Sequence, residues 1–522
     1  MYMEYKNSNL SEDERLIIFT QWDTIYRKLK TCNNSLLEKS NRGKKDSSNL
    51  IEDSFAFYIS SFGLSFIKNL YLHLDDSLGN IINIRCIIEG LAILEYLKSD
   101  LKNEEKNNLL ELQAYILERN TYKKYLSMDK YLFDIEVIQK NYEEVKLKYK
   151  TILDLNSKKF AYLENANIPF IDEHLSFEKI IENTFGNEVK RLYKLLSLLS
   201  HPHDFRHPIY NDKDIQILND ITVSLLETKF HNFDQHQGGL ETEYDNTLKY
   251  SPISSMLREQ NKLLKKVCMV INDNGYHALS SYIYELSIMQ WDFYLDLALG
   301  YTEHATTKWK YFAELFAFMY YSINDFYYSK ENQLLYFHTA MNINNFVELN
   351  NDTDDWNFVY NEYLRKYPNG VDLEAFKINF KKTLGFLIDE KGATPSLREI
   401  VYEMIDNVSS FIYDDSIFNP QFNIKLSDYL KMKYDESQNM SHANGYMLFA
   451  PTGAWIDGQN LSVYSDFILN RILDLFLEKE KERRNDNKKT VRNVIRNYIK
   501  KSEKILQQKH AFFASPKIPK NF

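Results

Sequence analysis

Six polar residues in the first half of the chain have types and spacing that could bind an anion and move a proton: Arg85, Glu89, Tyr193, Ser197, Ser200 and His201. Arg85 and Glu89 are four residues apart, so on a helix they share one face and can pair. Tyr193, Ser197, Ser200 and His201 trace a stripe at helical spacing through NEVKRLYKLLSLLSHPHDF (187–205), and between Tyr193 and His201 the other positions are leucine apart from Lys194. A polar stripe in an apolar helix must find partners, because unpaired buried polar groups are costly. The Arg85/Glu89 face is the obvious partner. One reading makes Arg85 an anion binder, Glu89 the group that orients it, and His201 a general acid or base near neutral pH. The other makes the same residues a buried network that fixes helix register, with His201 at a helix C-terminus. The residues fit both.

The second half repeats this order. KWKYFAELFAFMYYSINDF (308–326) matches NIRCIIEGLAILEYLKSDL (83–101), with Lys310 over Arg85 and Glu314 over Glu89. TPSLREIVYEMI (394–405) matches HLSFEKIIENTF (174–185). LKMKYDESQNMSHANGY (430–446) then matches VKRLYKLLSLLSHPHDF (189–205), placing Tyr434, Ser441 and His442 on Tyr193, Ser200 and His201, and Gln438 on Ser197. Ordered matches of this kind predict two diverged copies of one helical unit. Conversion of arginine to lysine makes two equivalent sites unexpected.

The elements that must carry these residues read as helices. With 15 glycines and 10 prolines in 522 residues, the chain lacks the turn residues that a large sheet protein needs. The fold class expected is all-α: two diverged copies of an antiparallel helical bundle plus a basic C-terminal helix. The first bundle should occupy 1–235, a polar linker 236–252, the second bundle 253–484 and the basic tail 485–522. Apolar helices are predicted over 53–74, 81–98 and 279–299, and an amphipathic one over 103–150. Ser176 is a candidate N-cap, and Pro202 should end the helix that carries Tyr193.

The Arg-x3-Glu helix followed by a helix ending in Ser-His resembles a bacterial all-helical domain family of unknown function, itself distantly similar to the HEPN superfamily. The resemblance covers roughly residues 51–208, and the second half more weakly. It implies small helical bundles that work in pairs, here as a pseudo-dimer within one chain. Many HEPN proteins are metal-independent ribonucleases, which implies Arg85 as phosphate binder and His201 as acid/base. Their Arg-x4-6-His pattern is absent here, since Ser197 and Gln438 precede the two histidines where the arginine would stand. Arg119, in ERNTYKKY, echoes a tyrosine variant of the motif on another helix.

Other features bound the function. His201, His203, Asp204 and His207 cluster in HPHDFRHP, but their spacing fits no familiar zinc motif, and neither metal nor cofactor is expected. Cys32, Cys86 and Cys268 form no Cys-x-x-Cys pair, and the N-terminal stretch has no apolar leader, so a cytoplasmic location without a membrane span is expected. The net charge of −9 hides a basic end: ten Lys or Arg against Glu503 alone between Lys488 and Lys520. Lys488, Lys489, Arg492, Arg496, Lys500 and Lys501 are candidate anion or nucleic-acid contacts. Their apolar neighbours Val491, Ile495, Tyr498 and Ile499 could equally dock the helix on its own protein. P-loop, dinucleotide, zincin and hydrolase-elbow motifs are absent. The expected function is a helical interaction or sensor protein of bacterial stress or antiphage defence, with RNA or a protein as partner. The alternatives are a ribonuclease using His201, Arg85 and Glu89, and a scaffold without ligand.

Overall fold

The structure is a computed structural model describing residues 11–41, 50–72, 77–100, 177–200, 212–250, 252–274, 276–299, 302–323, 397–409, 426–441, 454–482 and 489–514, with isolated positions 140, 143, 144, 147 and 372. Every regular element among them is an α-helix. The first half contributes α1 (Glu12–Asn41), α2 (Leu50–Tyr71), α3 (Leu78–Asp100), α4 (Phe177–Phe185), α5 (Asn187–Leu199), α6 (Asp212–Phe230) and α7 (Leu240–Tyr250). The second contributes α8 (Pro252–Asp273), α9 (His277–Ala298), α10 (Thr302–Ile323), α11 (Leu397–Ser409), α12 (Leu426–Met440), α13 (Ala454–Glu482) and α14 (Lys489–Ala514). Of the expected helix over 103–150 only positions 140, 143, 144 and 147 are described, and they are helical.

A helix that is apolar on all sides must be surrounded, and one such helix occupies the middle of each half. In α3 every residue to Leu94 is buried, beneath α2, α4, α5, α6 and α9. In α10 every residue from Thr307 to Met319 is buried, beneath α9, α11, α12 and α13, with α2 also touching it. The pairs α2/α3 and α8/α9 run antiparallel. Asn83 meets Ser65 while Gly90 meets Ile59, and Asn261 meets Ser287 while Cys268 meets Ser280.

The strongly amphipathic α4 and α5 lay their apolar stripes on α3, with Ile180, Ile181, Tyr193 and Leu196 buried there. Gly186 joins the pair at φ 87°, a left-handed conformation that side-chain-bearing residues rarely adopt. Ser200 ends α5 by donating its backbone N–H to the Leu196 carbonyl, where Pro202 was expected to stop the helix.

One apolar cluster runs from Ile25 through both halves to Ile499, so the halves share a core. The segment expected as a linker, 236–252, is largely α7, with Leu240 and Tyr244 fully buried and Tyr244 stacked on Tyr71. Its exposed Glu241, Asp245 and Asn246 give the polar composition, while Leu240 and Tyr244, four apart, form the inner face. The basic C-terminal segment contains α14, docked on α8 and α13 through Val491, Ile495 and Tyr498. No described helix is long and apolar enough to cross a membrane.

Candidate functional site

Arg85 and Glu89 project from α3 toward α5. The Arg85 Nε–H donates to Glu89 Oε1 at 3.0 Å, and Nη1 donates to Ser200 Oγ at 2.8 Å. Tyr193 donates its hydroxyl to the same Glu89 oxygen at 2.7 Å, and Ser200 Oγ donates to the Ser197 carbonyl at 2.9 Å. Five of the six polar residues therefore meet. His201, the next residue in the chain, lies outside the described residues.

The cluster is enclosed. Glu89 and Ser200 are 0% exposed, Tyr193 4% and Arg85 7%. Burial opposes the charge on Arg85, but Glu89, aided by Tyr193 and Tyr311, outweighs it and holds the guanidinium protonated well above its ordinary range. Burial, then the Glu89 charge, pushes the Tyr193 hydroxyl up, so it remains a neutral donor. The same two causes push the Cys86 thiol up to about 12. An inert, protonated thiol results.

The second-half counterparts assemble on α10 and α12 with different bonding. Tyr434 donates to Glu314 Oε1 at 3.3 Å, Gln438 Nε2 donates to the Tyr434 hydroxyl at 2.9 Å, and Ser441 Oγ donates to the Gln438 carbonyl at 2.8 Å. Lys310 is 4% exposed and makes no hydrogen bond or ion pair with any described residue; its ammonium sits 5.2 Å from the Tyr311 ring centre. Burial lowers its pKa, more strongly than Glu314 raises it, and Arg85 lowers it further. His442 lies outside the described residues.

The two networks adjoin. The Cys86 thiol, next to Arg85 on α3, contacts the Ser441 carbonyl at the end of α12 at 3.6 Å. In return Tyr311, next to Lys310, is close enough to Arg85 to feel its charge.

A second polar centre, not anticipated from the sequence, ties the halves together beside these networks. Lys68 of α2 and Lys308 of α10 bracket Asp292 and Asp296, one turn apart on α9. Lys68 Nζ is 2.5 Å from Asp292 Oδ1, Lys308 Nζ is 2.5 Å from Asp292 Oδ2, and both lysines also bond Asp296. All four side chains are buried. Burial opposes ionisation of Asp296, but Lys308 and Lys68 win and lower its pKa; burial likewise opposes the charge on Lys308, and Asp292 and Asp296 win and raise it. Asn83 donates to Ser65 at 3.0 Å, and Ser65 donates to Asp296 at 3.1 Å, extending the centre to the helix that carries Arg85. Gly79 at the start of α3 permits this approach, since a Cβ there would lie 2.1 Å from Asp292 Oδ2. The sequence signal was two aspartates four apart in an apolar helix, with Lys68 in a second apolar helix and Lys308, two residues before Lys310, in a third.

The histidine-rich HPHDFRHP segment lies outside the described residues, and among those described no three His, Cys, Asp or Glu side chains gather as metal ligands would. Of the basic candidates, Arg496, Lys500 and Lys501 are exposed on α14 and Arg492 is half-buried; Lys488 lies outside the described residues, as does the side chain of Lys489. No family model, curated protein sequence or solved structure matches the chain.

Proposed function

We propose that this chain is a helical interaction or sensor protein, of the kind used in bacterial stress or antiphage defence, in which two HEPN-like copies are paired inside one polypeptide. In this reading Arg85, Glu89, Tyr193 and Ser200 fix helix register. The observation that carries it is the commitment of the Arg85 guanidinium to Glu89 and Ser200 inside a closed core, with Glu89 wholly inaccessible. A phosphate-binding arginine must present free donors to incoming substrate.

The partners of a further matched position, Asn83 and Lys308, support an internal pair. Asn83, two residues before Arg85, bonds Ser65 on the preceding helix, and Lys308, two residues before Lys310, bonds Asp292 on its preceding helix. Contacts between α3 and α9 and between α2 and α10 take the place that a dimer interface holds in a single-copy relative.

Metal-free incubation with RNA tests this reading. The expected result is no cleavage by wild type or by His201→Ala, with Arg85→Ala lowering the unfolding midpoint. Cleavage that disappears in His201→Ala, with thermal stability retained, would overturn it in favour of a ribonuclease. One observation favours that second reading: Ser200, which receives Arg85, directly precedes His201 in the chain.

A further inference from the structure

The structure assigns to the joined outer faces of α8 and α14 a binding surface for single-stranded nucleic acid, with Tyr284 of α9 as a stacking platform at its edge. This goes beyond the C-terminal segment alone, because half of the surface comes from a helix more than 200 residues earlier in the chain, and it does not rest on how the Arg85 network is read.

On α14 the exposed Arg496, Lys500 and Lys504 recur every four residues, so their Cα atoms climb about 6 Å at each step along one ridge. On α8 the exposed Arg258, Lys262 and Lys266 do the same, with Lys265 alongside. The helices pack against each other, and Lys501 of α14 reaches Glu259 of α8 at 3.8 Å, so the two ridges adjoin on one exposed surface. The acidic groups lie at the margins: Glu259 at the seam pairs with Lys501, and Asp474 of α13 neighbours Arg496 and Glu503 on the far edge of α14. A chain of net charge −9 thus concentrates cations on one face, and such a field attracts a polyanion.

Two features select among polyanions. The apolar side of α14 is buried in the core, with Val491, Ile495 and Tyr498 at 1% exposure or less, so it has nothing to insert into a bilayer. Beside the cations, Tyr284 is 48% exposed and Met269 64%. The antiparallel register set by Asn261 on Ser287 and Ser280 on Cys268 places Tyr284 level with Leu264 and Lys265. Cations for the backbone next to an exposed ring for the bases are the chemistry of single-strand binding.

Fluorescence anisotropy of the full chain with labelled single-stranded RNA and DNA of about 12 nucleotides tests the assignment. Affinity should fall steeply with salt, with a log–log slope near about −3 if about four phosphates are neutralised. Replacing Lys262, Lys266, Lys500 and Lys504 by glutamate should weaken binding on the order of 100-fold, with unfolding temperature unchanged. Tyr284→Ala alone should weaken it about tenfold. Comparing the RNA and DNA arms tells which strand is preferred. Absence of binding to both, an unchanged affinity in Tyr284→Ala, or equal binding of polyglutamate or phosphatidylserine vesicles would each overturn the assignment.

Discussion

The Arg85 and Lys310 networks occupy corresponding places in the two halves, yet they satisfy their buried charges in different ways. Arg85 has a planar fork of donors and directs it to Glu89 and Ser200, while Tyr193 gives Glu89 a further short hydrogen bond. Lys310 has a compact ammonium that bonds no described residue, and Tyr434 reaches Glu314 only at 3.3 Å. A guanidinium cannot shed its proton in a protein, so it must be neutralised by geometry. An ammonium can shed its charge, and burial pushes Lys310 in that direction. The same helix contact thus tolerates a loosely bonded cation only where that cation can be discharged.

Removing the carboxylates breaks this comparison most sharply. Glu89→Gln leaves a guanidinium that cannot be neutralised in the core, and should cost about 3–5 kcal/mol of unfolding free energy. Glu314→Gln should cost clearly less, because Lys310 can give up its proton instead. Urea unfolding of the two variants beside wild type measures both. Equal losses would mean that the two networks hold charge alike.

The tyrosines sharpen the same contrast at a smaller scale. Tyr193→Phe removes a 2.7 Å hydrogen bond to a buried carboxylate and should cost about 1.5–3 kcal/mol. Tyr434→Phe removes a longer one together with the bond that Gln438 donates to the same hydroxyl, but half-buried Gln438 can turn to water, so the cost should stay at about 1 kcal/mol. Both substitutions keep the ring and its packing, so the difference in urea midpoint reads the hydroxyls. A larger loss at Tyr434 would place the tighter network in the second half.

What could be read from the sequence follows from how local each signal is. The Arg85–Glu89 pair and the Tyr193/Ser200 stripe are each set by spacing within one helix, and each apolar helix has few places to put a polar face, so their meeting was legible. The all-α class followed from the scarcity of glycine and proline. The contact of Cys86 with Ser441 was not legible, because it depends on how one half lies against the other. Lys68, Lys308, Asp292 and Asp296 are spread over three helices far apart in sequence, and only assembly brings them together as a quartet. The helix within 236–252 was not legible, since its surface residues outnumber the buried Leu240 and Tyr244. The basic stripe of α14 was legible, but the matching stripe of α8 became part of the same surface only when the two helices packed.

The smallest effect isolates the Lys310 ammonium. Lys310→Met removes a buried cation without stranding a described hydrogen-bond partner, and should change stability at neutral pH by about 1 kcal/mol or less, or raise it. Its pH dependence carries more information than its size. With a folded-state pKa below the ordinary 10.5, Lys310 is neutral in the folded chain and still protonated in the unfolded chain over the interval between those two values. The unfolded state then binds more protons, so this group's contribution to stability rises with pH across that interval and is unchanged above 10.5. Cys86 acts in the opposite sense. Its thiol is pushed from 9 to about 12, so the folded state holds the extra proton and stability falls as pH rises through that range. Because Lys310 and Cys86 feel each other's charge, the comparison is made with Cys86→Ala in both chains; the Lys310 chain minus Lys310→Met, measured by urea unfolding from neutral to alkaline pH, should rise with pH before levelling. A difference that stays flat would mean that Lys310 is as firmly charged as Arg85, and that the two halves do not differ in the way their bonding suggests.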